Sequence, residues 1–179
     1  MKRIVAILLL LLIVVFACKQ KEESNLQPQQ PSGTIGTLPG KTLEEEKILR
    51  DALAKDPKNL DALIRLGDMM MDSARFKEAV GAYAKALELD PKNVDVSVDM
   101  GTCLRNSGNP DLAIKEYKKA LDINPNHLNA HMNMGVVLSE DKKDYKAAVS
   151  EFEKVLSINP NVPNAQTIRQ EIQRLKTLK

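Results

Sequence analysis

Aromatic residues are scarce in this chain of 179 residues, which has no tryptophan, three tyrosines and three phenylalanines. It also lacks a glycine-rich phosphate loop, a nucleophile elbow and a paired-cysteine metal site. No set of side chains therefore supports nucleophilic, acid–base or cofactor chemistry. We predict a protein that is not an enzyme, needs no cofactor and has no evident small-molecule substrate.

Histidine and cysteine are equally rare, with two of each. His127 and His131 are spaced i,i+4 and could face one way on a helix, but two histidines without a third ligand indicate a metal only weakly. Packing or surface roles are the alternative, and we predict no metal site. Cys103 stands beside Leu104 in a helical segment and is predicted to be a small buried residue rather than a reactive thiol.

The first 17 residues have the pattern of a signal peptide. Lys2 and Arg3 precede an apolar run from Ile4 to Phe16, which small residues follow. A run of 13 residues is too short to cross a bilayer comfortably, because a spanning helix needs about 20. We predict a signal peptide over residues 1–17.

Cys18 follows this run directly. The sequence Val15-Phe16-Ala17-Cys18 resembles the bacterial lipobox, in which the cysteine becomes the acylated first residue of the mature protein. The resemblance implies palmitate-type lipidation of Cys18 and a cell-envelope protein anchored to a membrane. The location would be the periplasmic side of the outer membrane in a Gram-negative cell, and otherwise the outer face of the cytoplasmic membrane. An ordinary cleaved signal and an uncleaved anchor remain the alternatives.

Removal of residues 1–17 changes the charge balance. The loss of Lys2 and Arg3 from 26 cations leaves 24, against 24 acids. A net charge of zero argues against a nucleic-acid partner, because such proteins need a basic surface. Residues 18–40 hold the lipidated cysteine and a tether rich in proline, glycine and glutamine, with little to bury. If Cys18 is acylated, Cys103 has no disulfide partner.

The stretch 60–93 recurs along the rest of the chain. Pro57, Pro91 and Pro125 are 34 residues apart, and Pro160 follows after 35. Self-similarity at a fixed period of this size indicates a stacked repeat array. Each unit holds two amphipathic segments with helical spacing, and the proline ends the second because it has no amide donor. One helix pair cannot bury its own apolar face, so such units occur in threes or more.

Four positions of the unit recur in phase: Leu66, Gly67, Ala79 and Tyr83; Met100, Gly101, Ala113 and Tyr117; and Met134, Gly135, Ala148 and Phe152. The pattern resembles the tetratricopeptide repeat (TPR). The resemblance implies an all-α fold, a right-handed α-solenoid of helix-turn-helix repeats with terminal capping helices. The large aromatic residue that often opens the motif is replaced by Leu63, Ser97 and His131. The third unit has one extra residue, which we expect in the loop 140–144.

The expected units are residues 41–59 as an N-terminal capping helix or half-repeat, 60–93, 94–127 and 128–162 as repeats, and 163–179 as a C-terminal capping helix. Thr42 and Glu45 form a capping box, and Asn109 before Pro110 predicts a helix start with a side-chain cap. The last helix is expected to run from Pro163 to about Leu178. Its apolar stripe consists of Ala165, Ile168, Ile172, Leu175 and Leu178.

In TPR proteins the first helices of successive units line a concave groove that holds a peptide or a helix of a partner. Carried over by position, the resemblance implies groove residues Asp61, Ile64, Arg65, Asp68 and Met71; Asp95, Val98, Asp99, Thr102 and Arg105; and Asn129, Met132, Asn133, Val136 and Ser139. Acids outnumber bases, and Asn129 and Asn133 are expected to bond a partner backbone. Several of these residues are alternatively the solvated face of a helix. A basic clamp for an acidic tail is not expected, because the cations are missing.

We therefore expect a membrane-anchored adaptor lipoprotein that binds a peptide or helix of a partner envelope protein. It would serve as a scaffold for an envelope, pilus, secretion or cell-wall complex. The alternative is a self-assembling structural TPR module without a peptide ligand, since the ends and convex faces of solenoids can pack on copies of themselves.

Overall fold

The computed structural model describes residues 39–178, with side chains from Leu43 onward. This part of the chain contains eight α-helices, one π-helical turn and no strand. The helices are α1 (Pro39–Lys55), α2 (Leu60–Asp72), α3 (Phe76–Leu89), α4 (Val94–Asn106), α5 (Pro110–Ile123), α6 (Leu128–Val136), α7 (Tyr145–Ile158) and α8 (Ala165–Lys176), with the π-helical turn at Val137–Asp141. None of the described helices is long and apolar enough to cross a membrane. The predicted signal peptide and Cys18 lie outside the described residues.

The helices are stacked in chain order. Each one packs mainly on the helix before it and the helix after it, as expected for a linear array. Helices α2–α3, α4–α5 and α6–α7 form unit 1, unit 2 and unit 3, with α1 and α8 at the two ends. Their buried side chains form three hydrophobic clusters along the array. The predicted all-α array of helix-turn-helix repeats is confirmed.

Within each unit the two helices cross at a glycine. A Cβ atom at Gly101 would lie 2.5 Å from a ring carbon of Tyr117, and one at Gly135 would lie 2.7 Å from a ring carbon of Phe152. Gly67 and Tyr83 make the same contact in unit 1. The aromatic ring thus occupies the space that any side chain at the glycine would need. This explains why the glycine and the aromatic residue recur together.

The first helix of each unit starts with a side-chain cap. The Asn59 Oδ1 atom accepts a hydrogen bond from the backbone N–H of Ala62 at 3.0 Å, and Asn93 makes the equivalent bond to Val96 at 3.1 Å. These bonds satisfy amide groups that have no partner inside the helix. In unit 3 the capping atom is Nδ1 of His127.

The turn inside each unit has one residue in the left-handed conformation. It is Ala74 in unit 1 with φ of 56°, Gly108 in unit 2 with φ of 85°, and Lys143 in unit 3 with φ of 56°. In unit 1 the N–H of the next residue, Arg75, bonds to the carbonyl of Met70 at 2.8 Å. This bond and the left-handed residue are the signature of a Schellman motif, which ends a helix.

The extra residue of unit 3 lies inside its first helix. The sequence placed it in the loop 140–144, but the structure absorbs it in the π-helical turn Val137–Asp141. The closing bond of the turn accordingly spans six residues, from the Asp144 N–H to the Leu138 carbonyl at 2.9 Å. The helix widens by this residue, and the left-handed Lys143 keeps the place in the turn that Ala74 and Gly108 have in the other units. A single inserted residue in a helix commonly appears as such a turn.

Both ends of the array differ from the sequence prediction. Helix α1 begins at Pro39, so Thr42 lies in its first turn and is not the N-cap, and the predicted tether loses its last two residues to the helix. Proline suits the first turn because its missing amide would have no partner there. Helix α8 begins at Ala165, two residues after Pro163, and Leu178 lies past its end and is exposed.

The predicted side-chain cap at Asn109 is absent. Asn109 is the N-cap residue of α5 and Pro110 follows it as expected, but the Asn109 side chain makes no capping bond. Its Nδ2 group instead donates to the carbonyl of Ser107 at 3.2 Å. The turn bends the amide back toward the preceding helix, so it cannot reach the first amides of α5.

Candidate functional site

The predicted groove residues lie on the first helices of the three units. We call the surface formed by their accessible sides on α2, α4 and α6 the A-helix face. Exposed members are Asp61, Arg65, Asp95 and Asn129, and half-buried members are Ile64, Asp68, Met71, Asp99, Thr102, Arg105, Met132, Asn133 and Val136.

Two predicted groove residues are not available for contact. Val98 is 3% exposed and packs in the hydrophobic cluster of unit 2, and Ser139 is 5% exposed. Ser139 donates its hydroxyl hydrogen to the Val136 carbonyl at 3.1 Å inside the π-helical turn. Position in the repeat predicted both as surface residues. Unit 2 therefore contributes no accessible apolar residue of the predicted groove to the A-helix face, whereas units 1 and 3 contribute Ile64 and Met132.

One hydrogen bond joins the first helices of units 2 and 3, and it ends on the hydroxyl of Thr102. This hydroxyl donates to the Val98 carbonyl at 3.1 Å, and it accepts from Asn133 Nδ2 at 3.2 Å. The hydroxyl of Tyr117 lies 3.3 Å from the same oxygen and completes its bonding capacity as a donor. Asn133 thus has one amide hydrogen committed within the protein, and its carbonyl oxygen and second amide hydrogen remain for a ligand.

The tyrosine hydroxyls were not anticipated as part of this face. Tyr83 donates its hydroxyl to Asp68 Oδ1 at 2.7 Å, and Tyr117 contacts the equivalent residue Thr102. In unit 3 the two positions are Phe152 and Val136, so a polar pair becomes an apolar pair. The sequence carried a signal of this pairing. In units 1 and 2 a tyrosine of the second helix goes with a polar residue of the first helix, Asp68 or Thr102, and in unit 3 both positions are apolar.

Both cations of the A-helix face are engaged in ion pairs. Arg65 lies 2.8 Å from Glu45 of α1. Arg105 pairs with Glu140 and, at 2.6 Å, with Asp141 of the π-helical turn. Neither arginine is left to attract an anion, so the face is acidic in units 1 and 2.

Asp99 is the central carboxylate of this face. Among the described residues it makes no hydrogen bond and no ion pair, whereas Asp68 accepts from Tyr83 and Asp95 lies 2.9 Å from His127. Burial, and after it the nearby charges of Asp68 and Asp95, raise the pKa of Asp99 to about 6, and the charge of His127 acts in the opposite direction. A carboxylate in this setting gains from a cation brought by a ligand.

The remaining candidates for chemistry serve the fold. Cys103 is fully buried, and burial raises the pKa of its thiol to about 12, so the nucleophilic thiolate does not form at neutral pH. Within residues 43–178 no three side chains of the metal-binding types come together. His127 and His131 contact carboxylates of two different helices, Asp95 and Glu151.

The same fold is found in solved structures, of which three are named here with their similarity to this chain. A tetratricopeptide repeat protein from Parabacteroides merdae has a TM-score of 0.69 and 23% identity over 77% of this chain and 55% of its own. MamA has a TM-score of 0.67 and 21% identity over 76% of this chain and 85% of its own. YrrB, a TPR protein with an unusual peptide-binding site, has a TM-score of 0.67 and 24% identity over 73% of this chain and 67% of its own.

Sequence comparison agrees with the structural likeness. No curated protein matches the chain at a significant level. The family described as the cytochrome c-type biogenesis protein H TPR domain, however, matches residues 47–165. This span runs from α1 to the start of α8 and covers all three units. The chain therefore belongs to this family of TPR domains.

Proposed function

We propose that the protein is a membrane-anchored adaptor that binds a peptide or a helix of a partner protein on its A-helix face. The observation that carries this proposal is the charge arrangement of that face. Its two arginines are committed to ion pairs, and Asp99 has no partner within the described residues. The peptide-binding site of YrrB, which has the same fold, supports this use of a TPR array.

The chemistry of the face indicates a ligand with a lysine or arginine next to apolar side chains. A partner cation would approach the carboxylates of Asp68 and Asp99, while Ile64 and Met71 offer half-buried apolar contacts beside them. An ion pair between a ligand cation and a half-buried carboxylate contributes more to the binding free energy than the same pair in bulk water, because the local dielectric constant is lower. Asn133 adds an amide that can bond the ligand backbone.

The proposed anchor is an acyl group on Cys18, with the residues up to α1 as the tether. Acyl chains hold a protein at a membrane surface, since each buried methylene contributes about 0.8 kcal/mol. We place the protein in the cell envelope on this basis. Its role there would be to bring a partner into an envelope, pilus, secretion or cell-wall complex.

Crosslinking in cells followed by identification of the captured proteins would test the adaptor role. We expect Asp99→Lys to lose the captured partner, because the new cation repels the cation of the ligand. Asp122→Lys makes the same charge change on an exposed position of α5, away from the A-helix face, and should keep the partner. Equal capture by the two variants would contradict the site.

Metabolic labelling with a palmitate analogue would test the anchor. The wild-type protein should be labelled and Cys18→Ser should not. Cys103→Ser removes the other thiol and should leave the labelling unchanged. A labelled Cys18→Ser protein would show that the anchor lies elsewhere.

Self-assembly is a second candidate function, favoured by one feature of α1. Leu43 and Ile48 are 70% and 59% exposed, so two large apolar side chains of α1 are without cover in the described residues. Sedimentation of the full chain in mild detergent over a range of concentrations separates the two functions. A monomer at all concentrations would argue against assembly.

A further inference from the structure

An open cleft of about 470 Å³ lies between α1 and α3, and none of its lining residues belongs to the A-helix face. Its floor consists of apolar side chains of α2 at helical spacing, Leu63, Leu66 and Met70. The same spacing places Ile64 and Asp68 of the A-helix face on the other side of α2. The cleft is therefore separate from the proposed peptide site. Its volume is in the range of sites that bind small molecules, about 300–1,000 Å³.

The cleft has room because two residues of α3 are small. Its wall on that side contains Gly81 and Ala82, and a Cβ atom added to Gly81 would meet no atom within 4 Å. The equivalent residues are Lys115 and Glu116 in unit 2, and Ser150 and Glu151 in unit 3. Units 2 and 3 thus have a carboxylate side chain at the position where unit 1 has only a methyl group.

A lysine of α3 lacks the acid that its counterpart in unit 2 has. There the buried Glu116 accepts a hydrogen bond from Nζ of Lys119 at 2.7 Å. Lys85 is the equivalent lysine of unit 1 and lines the cleft, but the position of the acid is taken by Ala82. Lys85 makes no hydrogen bond or ion pair through its side chain with the residues that the structure describes. The cleft therefore contains a cation that a ligand carboxylate can pair with.

The other charged side chains at the cleft are matched in pairs. Arg50 of α1 lies 3.3 Å from Glu78 of α3 and 2.7 Å from Glu46. Arg75 lies 2.6 Å from each of the same two acids. Lys85 stands seven residues after Glu78, about 10 Å further along the helix. The cleft thus has two arginine–glutamate pairs at one end and the unpaired lysine at the other.

We propose that this cleft binds a medium-chain fatty acid. The ligand carboxylate pairs with Lys85, as Glu116 pairs with Lys119 in unit 2. The apolar tail lies between α1 and α3 over the apolar floor, for about 10 Å, up to the arginine–glutamate pairs. A peptide fits this cleft less well, because the apolar side chains of the floor and walls offer no partner to its backbone N–H and C=O groups.

Titration with octanoate, followed by NMR of the ¹⁵N-labelled full chain, tests this site. The chain is kept in lipid nanodiscs, so that no detergent competes for the cleft. We expect the amide signal of Gly81 to shift and saturate, while that of Gly108 in unit 2 stays unchanged. Octylamine has the same tail and the opposite charge, so it should bind more weakly. The absence of a saturable shift with octanoate, or an equal affinity for octylamine, would overturn the proposal.

Variants of the lysine and of its missing partner test the carboxylate contact. Lys85→Gln should weaken octanoate binding about three- to tenfold, because it removes one partly exposed charged hydrogen bond. Lys119→Gln removes the equivalent lysine of unit 2 and should leave binding unchanged. Ala82→Glu gives unit 1 the carboxylate of unit 2 and should abolish binding. Equal affinity in Lys85→Gln and Lys119→Gln would show that the lysine does not hold the ligand.

A second way to close the cleft guards against misfolding of Ala82→Glu. Gly81→Leu fills the cleft from an exposed position with open space around it, so the variant should fold and should not bind octanoate. Its reporter is the amide of Ala82. Ser150→Leu makes a similar change at the equivalent position of unit 3 and should keep binding. Octanoate binding by Gly81→Leu with wild-type affinity would contradict the site.

A peptide with a C-terminal leucine distinguishes the fatty acid from the end of a protein chain. It carries a carboxylate beside an apolar side chain, but it also carries backbone amides. We expect it to shift the Gly81 signal less than octanoate does at the same concentration. A higher affinity for the peptide than for octanoate would overturn the assignment of the ligand as a fatty acid.

Discussion

At the level of single residues, Asp99 opposes the stability of the fold. Its carboxylate is half-buried and has no partner among the described residues, and its neighbours include Asp68 and Asp95. A group that costs stability and is surrounded by like charges is what a binding face often contains, because its ligand relieves the cost. The same position in units 1 and 3 is Arg65 and Asn133, so the repeat itself does not require an acid there.

Replacement of Asp99 by asparagine should stabilise the protein at neutral pH. The pKa of Asp99 is raised from 3.8 to about 6, so the folded state binds its proton more tightly than the unfolded state does. The stabilisation from this proton is present below pH about 4 and is lost as the pH rises through about 6. We expect Asp99→Asn to raise the free energy of unfolding by about 1 kcal/mol at pH 7, after allowance for solvent screening, and to leave it unchanged below pH 4.

Urea unfolding of the wild type and of Asp99→Asn at both pH values measures this difference in the free energy of unfolding. Asp122→Asn on α5 is the control, and a loss of stability in Asp99→Asn would contradict the argument.

Two glycines of the array should respond in opposite ways to alanine. Gly101→Ala forces a Cβ atom against the buried Tyr117 ring and should lower the free energy of unfolding by about 1–3 kcal/mol. Gly81, inside α3, has no atom within 4 Å of its added Cβ, so Gly81→Ala should raise it by about 0.5–1 kcal/mol. Denaturant unfolding of both variants gives the comparison. A loss in Gly81→Ala would mean that this glycine has a role beyond the packing seen here.

At the level of elements, the turns inside the three units share one backbone conformation although their sequences differ. Ala74, Gly108 and Lys143 all adopt the left-handed conformation, although only one is a glycine. The helix end and the start of the second helix fix this conformation from both sides. The extra residue of unit 3 is therefore accommodated in the helix as a π-helical turn, and the turn residue keeps its place.

Glycine at the two strained turn positions should stabilise the protein. A left-handed conformation costs an L-residue about 1 kcal/mol relative to glycine, and the greater freedom of glycine in the unfolded chain offsets part of this. We expect Ala74→Gly and Lys143→Gly each to raise the free energy of unfolding by up to about 1 kcal/mol. Gly108→Ala should lower it by a similar amount. Thermal unfolding is the measurement. Ser73→Gly, at a neighbouring φ of −86°, is the control and should not stabilise.

At the level of the whole molecule, the two ends of the array are unequal. Helix α8 turns Ala165, Ile168, Ile172 and Leu175 toward α7 and leaves polar side chains outside. Helix α1, the first helix of the described residues, occupies the place of the second helix of a unit. Of its large apolar side chains Leu49 is buried, while Leu43 and Ile48 are exposed.

The unequal ends predict a gradient of local stability along the array. In a stacked array each unit is stabilised by its neighbours, so the less covered end opens first. We expect amide hydrogens of α1 to exchange faster than those of α8, with the slowest exchange in unit 2. Hydrogen-exchange mass spectrometry of the full chain in mild detergent measures this. Faster exchange in α8 than in α1 would contradict the assignment of α8 as the closed end.

The repeat pattern of the sequence was enough to predict the array, because its positions recur every 34 or 35 residues and contacts such as that of Gly101 with Tyr117 form inside one unit. What the A-helix face offers followed only from the packed structure. It buried Val98, committed Arg65 and Arg105 to ion pairs and left Asp99 without one. The reason is physical: these contacts join side chains of different helices, and a repeat pattern fixes where a residue stands but not which of its neighbours its side chain reaches.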